Sequence, residues 1–214
     1  AKHPSLVEIN YIGESQKGNR IPLLHIRNSS TSDKIKVWIQ GGLHGNEPAS
    51  SEGVLYVLNE ILNKPENHYL LDRIELAVVP MANIDGYLKQ NRYAANGLDL
   101  NRDQTKLMAP ESVVLKQAYS NFNPEVGLDF HEYNPFRKDF TKLSSFGITS
   151  YFDVMFLYSG NLNVPKNLRT LTDSVFVQNA RKVLDANNLS HNDYVSTTNH
   201  SGEIYFKQGS ISAR

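Results

Sequence analysis

The 214-residue sequence contains no cysteine, which removes disulfides, thiolate zinc sites and cysteine nucleophiles together and leaves His, Asp and Glu to hold any metal. Neither sign of charge is in surplus, since 22 Lys and Arg stand against 22 Asp and Glu. Nothing in that balance points to a nucleic-acid partner, and none is expected. No apolar run approaches the roughly 20 residues that a helix needs to cross a bilayer, so no membrane span is expected either. What the chain does have is 40% apolar residues over a length that can bury a substantial core, which fits one domain over residues 1–214. It opens on Ala1 without a methionine, as after signal-peptide removal. Export is the expectation, with the cytoplasm as the alternative.

Two periodicities alternate along the chain. Residues 6–12, 21–27 and 35–40 are short apolar or alternating runs separated by Gly, Asn and Ser, the pattern of strands joined by turns. Beyond Gly41-Gly42, Pro48 stands where a first helical turn tolerates proline. Val54, Leu55, Leu58, Ile61 and Leu62 then recur at helical spacing over about four turns. Residues 74–79 are a continuous apolar run closed by Pro80, which after a helix predicts a buried parallel strand. A helix over 110–122 and a buried strand over 126–130 continue the pattern, with a further strand within 153–158. Thr172 is the expected N-cap of a helix to Asn187, with Val175, Phe176, Ala180, Val183 and Leu184 facing inward. Residues 134–150 read as a long surface excursion and the chain beyond 187 as loop. The expected fold class is therefore α/β, a mixed, mostly parallel, twisted sheet flanked by helices.

Two stretches bring metal-ligating side chains to strand ends. Gly41-Gly42-Leu43-His44-Gly45-Asn46-Glu47 follows a predicted strand and precedes a helix, where ligand sites gather in α/β folds. The three-residue spacing lets an imidazole and a carboxylate converge on one cation, and the glycines let the backbone bend. Taken alone, an H-x-x-E is equally explained by an exposed His and a Glu at a helix start. Asp129-Phe130-His131-Glu132 closes another predicted strand, and alternation puts Asp129 and His131 on one face, Phe130 and Glu132 on the other. A satisfied core histidine is the alternative there. Two His and one Glu leave a coordination position of zinc open for water, so one catalytic Zn2+ per chain fits His44, Glu47 and His131 better than a structural ion. Such an ion activates water and polarises a carbonyl, the chemistry of amide hydrolysis.

Between these stretches lie Asn83-Ile84-Asp85-Gly86, Asn91-Arg92-Tyr93 and Asp99-Leu100-Asn101-Arg102. The ordered set of H-x-x-E, an N-x-D-G turn, an arginine, D-x-N-R and a strand-borne His resembles the M14 zinc carboxypeptidase family. The resemblance implies that Asn101 and Arg102 clamp a substrate carboxylate, that Arg92 stabilises the oxyanion and that Asp99 orients His44. It implies a peptide substrate with a free C-terminal carboxylate. Two positions depart from the family pattern. Ile84 stands where the family usually has proline, and Asp129 where digestive-type members commonly carry serine. The second leans toward bacterial branches, some of which cleave peptidoglycan peptides, and toward the aspartoacylase and succinylglutamate desuccinylase group, which shares the H-G-N-E start. The N-x-D-G turn favours the peptidase side.

Residues 201–211 resemble, with a one-residue gap, the family segment in which a mobile tyrosine precedes a pocket-lining turn. On that alignment Tyr205 caps the substrate and Ile211 lines the side-chain pocket, implying an apolar or uncharged preference. A loop aromatic without a role is the alternative for Tyr205. In the family the general-base glutamate follows on a further strand, and Arg214 comes before one appears. Neither Glu132, directed away from His131, nor Glu203, in a loop, is a convincing replacement. The expectation is a C-terminally incomplete zinc metallocarboxypeptidase domain, inactive alone, whose sheet lacks its final strand or strands and shows an open edge. A zinc-dependent deacylase of N-acyl amino acids and a non-catalytic peptide- or carbohydrate-binding module with a retained metal site are the alternatives.

Overall fold

The computed structural model describes residues 3–29, 33–135, 151–158, 163–197 and 204–206, the last three and 195–197 through their backbone. The chain divides into two compact units, Ala1–Tyr133 and Asn134–Ala213. In the first, strands β1 (Val7–Glu14), β2 (Arg20–Ile26) and β3 (Ile35–Gln40) precede helix α1 (Pro48–Asn63), a 3-10 stretch (Pro65–Asp72) and β4 (Ile74–Val79). Short helices α2 (Ile84–Leu88) and α3 (Leu100–Asp103), helix α4 (Pro110–Phe122) and strand β5 (Val126–Asp129) follow. The sheet order is β1-β2-β4-β3-β5. The sheet is mixed, as expected: β1–β2 and β2–β4 run antiparallel, whereas β4–β3 and β3–β5 are parallel, as their helical crossovers require.

Strand alternation builds two cores. Ala77 and Val79 of β4 join Ile21, Leu23 and Trp38 under Leu115 and Phe122 of α4. Leu76 and Val78 face the opposite way and pack with Ile26, Ile39 and the α1 residues Val54, Leu58 and Ile61. Helices therefore cover both faces of the sheet, and each buried aliphatic side chain contributes roughly 1.5–3 kcal/mol of apolar burial. Leu55 is not part of that face; it is exposed, because only one stripe of α1 reaches the sheet. Nor is β5 the buried strand its sequence predicts. It is the edge of the sheet, paired with β3 alone among the described residues, and Leu128 is 40% exposed.

In the second unit, β6 (Val154–Phe156) pairs in parallel with β7 (His191–Asp193), and β8 (Val195–Thr197) pairs antiparallel with β9 (Ile204–Phe206). β6 lies within the strand expected over 153–158, whereas β7 to β9 replace the loop expected beyond residue 187. Strands of three residues carry no readable period and are defined by backbone pairing alone. The helix expected from Thr172 begins earlier, at α5 (Lys166–Leu171) with Pro165 as N-cap, and runs through a π-helical stretch (Thr172–Val177) into α6 (Gln178–Ala186). Thr172 lies inside it and its hydroxyl donates to the Leu168 carbonyl, 2.9 Å away. The π turns rotate the apolar stripe, so Val177 is buried while Val175, Phe176 and Val183 are exposed. Of the excursion over 134–150, all but Asn134 and Pro135 lies outside the described residues.

Candidate metal centre

The carboxyl ends of the adjacent parallel strands β4, β3 and β5 lie side by side, and the segments leaving them carry the candidate ligands. His44 and Glu47 follow β3, the N-x-D-G turn follows β4, and His131 follows β5. Backbone bonds lace the first two segments together: Ala82 N donates to Gly41 O at 3.0 Å and Asn83 N to Gly42 O at 2.9 Å. The Asn83 side chain accepts from Gly86 N at 2.9 Å and turns its amide toward the Leu43 and Arg92 carbonyls, both at 3.4 Å. Asp85 is buried and accepts from Ser15 Oγ, Lys17 N and Asn19 Nδ2, tying the β1–β2 turn to the same scaffold. Gly45 rests directly on Gly86, so the glycines of the two motifs touch. Ile84, the departure from proline, is the first residue of α2, a position that proline favours but does not need.

His44, Glu47 and His131 converge, with one donor atom of each within 4.8 Å of the others. Both imidazoles present Nδ1 to the Glu47 carboxylate: His44 to Oε1 and His131 to Oε2, each at 2.8 Å. Both turn Nε2 to an aspartate, His44 to Asp99 at 3.2 Å and His131 to Asp129 at 3.1 Å. Arg92 closes one side, its Nε and Nη2 at 3.1 and 3.0 Å from Asp99 Oδ2 and its Nη1 at 3.4 Å from Glu47. Glu47 Oε2 also accepts from Glu132 N at 3.2 Å. Glu132's own carboxylate accepts from Ala49 N at 3.1 Å, capping the first turn of α1, whose N-cap Glu47 makes no side-chain cap bond.

The donor set suits a divalent cation. Carboxylates only accept hydrogen bonds, so each ring nitrogen facing one either carries a hydrogen or shares a cation with it. Among the described residues the carboxylates of Glu47, Asp99 and Asp129 surround the two imidazoles, and the Arg92 guanidinium lies against the first two, an acidic setting that accommodates a divalent cation. Burial pushes the Glu47 carboxyl up, but hydrogen bonds from His131 and His44 outweigh it and hold the group at about 2. Asp99 is lowered further, burial being overcome by His44 and Arg92. His131 moves the other way: burial lowers it, yet Asp129 and Glu47 raise it to about 9. Two histidines and a glutamate form a set that zinc accepts with a position left open.

The family model for peptidase M14, zinc carboxypeptidase, matches residues 1–211. The chain belongs to this family. Carboxypeptidase 2 of Trichophyton rubrum is 31% identical over 194 residues, covering 86% of this chain and 35% of that protein, so the chain spans about a third of the length of such relatives. The carboxypeptidase A of Helicoverpa armigera shares the fold with a TM-score of 0.73 at 20% identity, covering 99% of this chain and 57% of that one. The metallo-carboxypeptidase of Burkholderia cenocepacia superposes with a TM-score of 0.70 at 22% identity, covering 89% of this chain and 49% of that one.

In this member of the zinc carboxypeptidase family His44, Glu47, Arg92, Asp99 and His131 are brought together within the first unit. Asn101 and Arg102 lie on α3, directly after Asp99, whose carboxylate and carbonyl accept from their two backbone N–H groups at 2.9 Å. Tyr205 lies in β9 and is described through its backbone alone, and Ile211 lies outside the described residues. Sequence reasoning missed Gln40, which binds Asp129, and Trp38, which binds Gln40. The signal was there, in a polar residue closing the apolar run of β3 on the face of its tryptophan.

Proposed function

We propose that the chain provides the zinc centre of a metallocarboxypeptidase that hydrolyses the C-terminal bond of peptides or peptidoglycan peptides. The convergence of Nδ1 of His44, Nδ1 of His131 and the Glu47 carboxylate supports it most directly. A zinc ion held by this set supplies Lewis acidity toward a carbonyl and activates water. Asp99 and Asp129 hold the outer nitrogens of the two imidazoles. Arg92, about one-third exposed and braced by two carboxylates, offers a fixed positive charge to an oxyanion. Asn101 and Arg102 take the substrate's C-terminal carboxylate, Arg102 through a bidentate guanidinium. Tyr205 caps the bound peptide and Ile211 lines its side-chain pocket. Glu132 is not given the general-base role in this reading, its carboxylate being engaged by Ala49 N at the start of α1. No general base is assigned among the described residues.

Equilibrium dialysis against zinc tests the centre: about one ion per chain is expected, lost in His44→Ala and His131→Ala variants that keep the wild-type circular dichroism. Unchanged zinc content in both variants would overturn it. A panel of blocked dipeptides and acylated amino acids, given to the zinc-loaded protein, then separates peptidase from deacylase. No hydrolysis of either class by the zinc-loaded protein leaves the non-catalytic binding module as the better reading.

A further inference from the structure

The two imidazoles of the centre are held by different means. Behind His44 stands an ion pair, Asp99 with Arg92. Behind His131 stands a chain of hydrogen bonds that leads into the core. Trp38 and Gln40 occupy the same face of β3 and are both buried, 1% and 3% exposed. The Trp38 indole lies 3.0 Å from Gln40 Oε1, Gln40 Nε2 lies 2.9 Å from Asp129 Oδ1, and Asp129 Oδ2 lies 3.1 Å from His131 Nε2. Register fixes the middle link, because Gln40 and Asp129 are direct partners in the parallel β3–β5 pair.

Every hydrogen in this chain has one possible direction. An indole N–H only donates, so the Gln40 amide must offer its oxygen to Trp38 and its NH2 to Asp129. A carboxylate only accepts, so the nitrogen facing Asp129 Oδ2 must carry the hydrogen. That nitrogen is Nε2; Nδ1 faces the Glu47 carboxylate, so it carries a second hydrogen or, where a cation stands between the two, offers its lone pair to that cation. We propose that Trp38 and Gln40 are positioning residues, which act through Asp129 to fix the tautomer and ring orientation of His131 for metal binding. The inference rests on the zinc centre described above.

The decisive experiment pairs zinc affinity, measured in a competing chelator buffer, with the ring-nitrogen resonances of 15N-histidine-labelled protein. Wild-type protein should show His131 bound to zinc through Nδ1, with a slowly exchanging hydrogen on Nε2. Gln40→Leu cuts both links and should weaken zinc roughly 10-fold or more, with loss of the protected Nε2 hydrogen. Trp38→Phe removes only the first donor and keeps most of the ring packing against Tyr119, so it serves if Gln40→Leu fails to fold. It frees the Gln40 amide to flip and should give a second His131 environment with a smaller loss of affinity. Wild-type affinity together with a wild-type nitrogen pattern in the folded variants would overturn the relay, as would weaker zinc with the pattern unchanged. Failure of wild-type protein to bind zinc would overturn the metal reading instead, and the relay would still be read from the Nε2 hydrogen of the metal-free protein.

Discussion

Replacing Gly45 by alanine should damage both the fold and the metal centre, and the size of the effect follows from one close approach. A Cβ built on Gly45 would lie 2.0 Å from the Gly86 carbonyl carbon, 2.3 Å from Tyr87 N and 2.5 Å from Asn91 O. All three are backbone atoms, so no side chain can swing aside. Ordinary contact begins at 3.4 Å, so one segment must withdraw by about 1.4 Å. Neither is free to do so: Ala82 N and Asn83 N hold the ligand loop at Gly41 and Gly42, while Tyr87 N and Asn91 N bind within the turn to Asn83 O and Gly86 O. Overpacking of this kind costs typically 1–3 kcal/mol, and a backbone clash belongs at or above the upper end, about 3 kcal/mol. For a domain of this size that lowers Tm by roughly 6–12 °C. Because Gly45 lies between His44 and Glu47, displacement of the order of 1 Å also separates the ligands, and zinc affinity should fall at least about 100-fold. Gly53 is the control. It lies within α1, an added Cβ meets only Phe130 at an ordinary 3.8 Å, and alanine there should stabilise by about 0.5–1 kcal/mol. Thermal melts with and without zinc, and zinc titration, read both effects. A Gly45→Ala protein that melts with the wild type and binds zinc equally would refute the packing argument.

The same cluster sets a pH dependence for the metal-free protein. His131 is raised from 6.5 to about 9, so its contribution to stability is complete below 6.5 and is lost as pH rises through 9. Glu47 is lowered from 4.5 to about 2, so its contribution is complete above 4.5 and is lost as pH falls through 2. Melting in chelator should therefore be most favourable, as far as this cluster governs it, between 4.5 and 6.5 and decline toward 9; a decline of equal size in His131→Gln would refute the assignment. Zinc takes the place of the Nδ1 hydrogen, so its stabilising effect should grow over the same rise in pH. Asp103, buried and 3.0 and 2.8 Å from the Met108 and Ala109 N–H groups it accepts from, is a scaffold residue by comparison. Asp103→Ala leaves those donors unsatisfied and should cost about 2–4 kcal/mol in chemical denaturation without changing zinc affinity in the folded protein. A loss under about 0.5 kcal/mol would contradict the hydrogen-bond account.

Periodicity made the first unit legible, and its absence hid the second. In α1 and β4 most of the apolar residues that the pattern selects, among them Val54, Leu58, Ile61 and Val78, reach one core, with Leu55 the exposed exception. Apart from β6, within the run 153–158, the three-residue strands β7 to β9 offer no such pattern, and the π turns within Thr172–Val177 break the one that a regular helix would have kept. Edge position was equally invisible. An apolar run reads alike at the rim and the centre of a sheet, so β5 was expected to be buried and Leu128 is not.

At the metal centre the division is by sequence distance. His44 and Glu47 are three residues apart on one turn, and Asp129 and His131 two apart at and just beyond the end of one strand, so their approach follows from local geometry. What joins the pairs does not. Glu47 meets His131 across 84 positions, Gln40 meets Asp129 across 89, and Gly45 meets Gly86 through a backbone approach that leaves no pattern in side-chain polarity. These long-range fits carry the physical constraint: two strand ends must lie close enough for glycine to touch glycine before the imidazole on a third can share a carboxylate with the first. A substitution at Gly45 or Gln40 should therefore weaken zinc binding without removing a ligand, and that outcome would separate a built centre from two histidines that happen to lie near one glutamate.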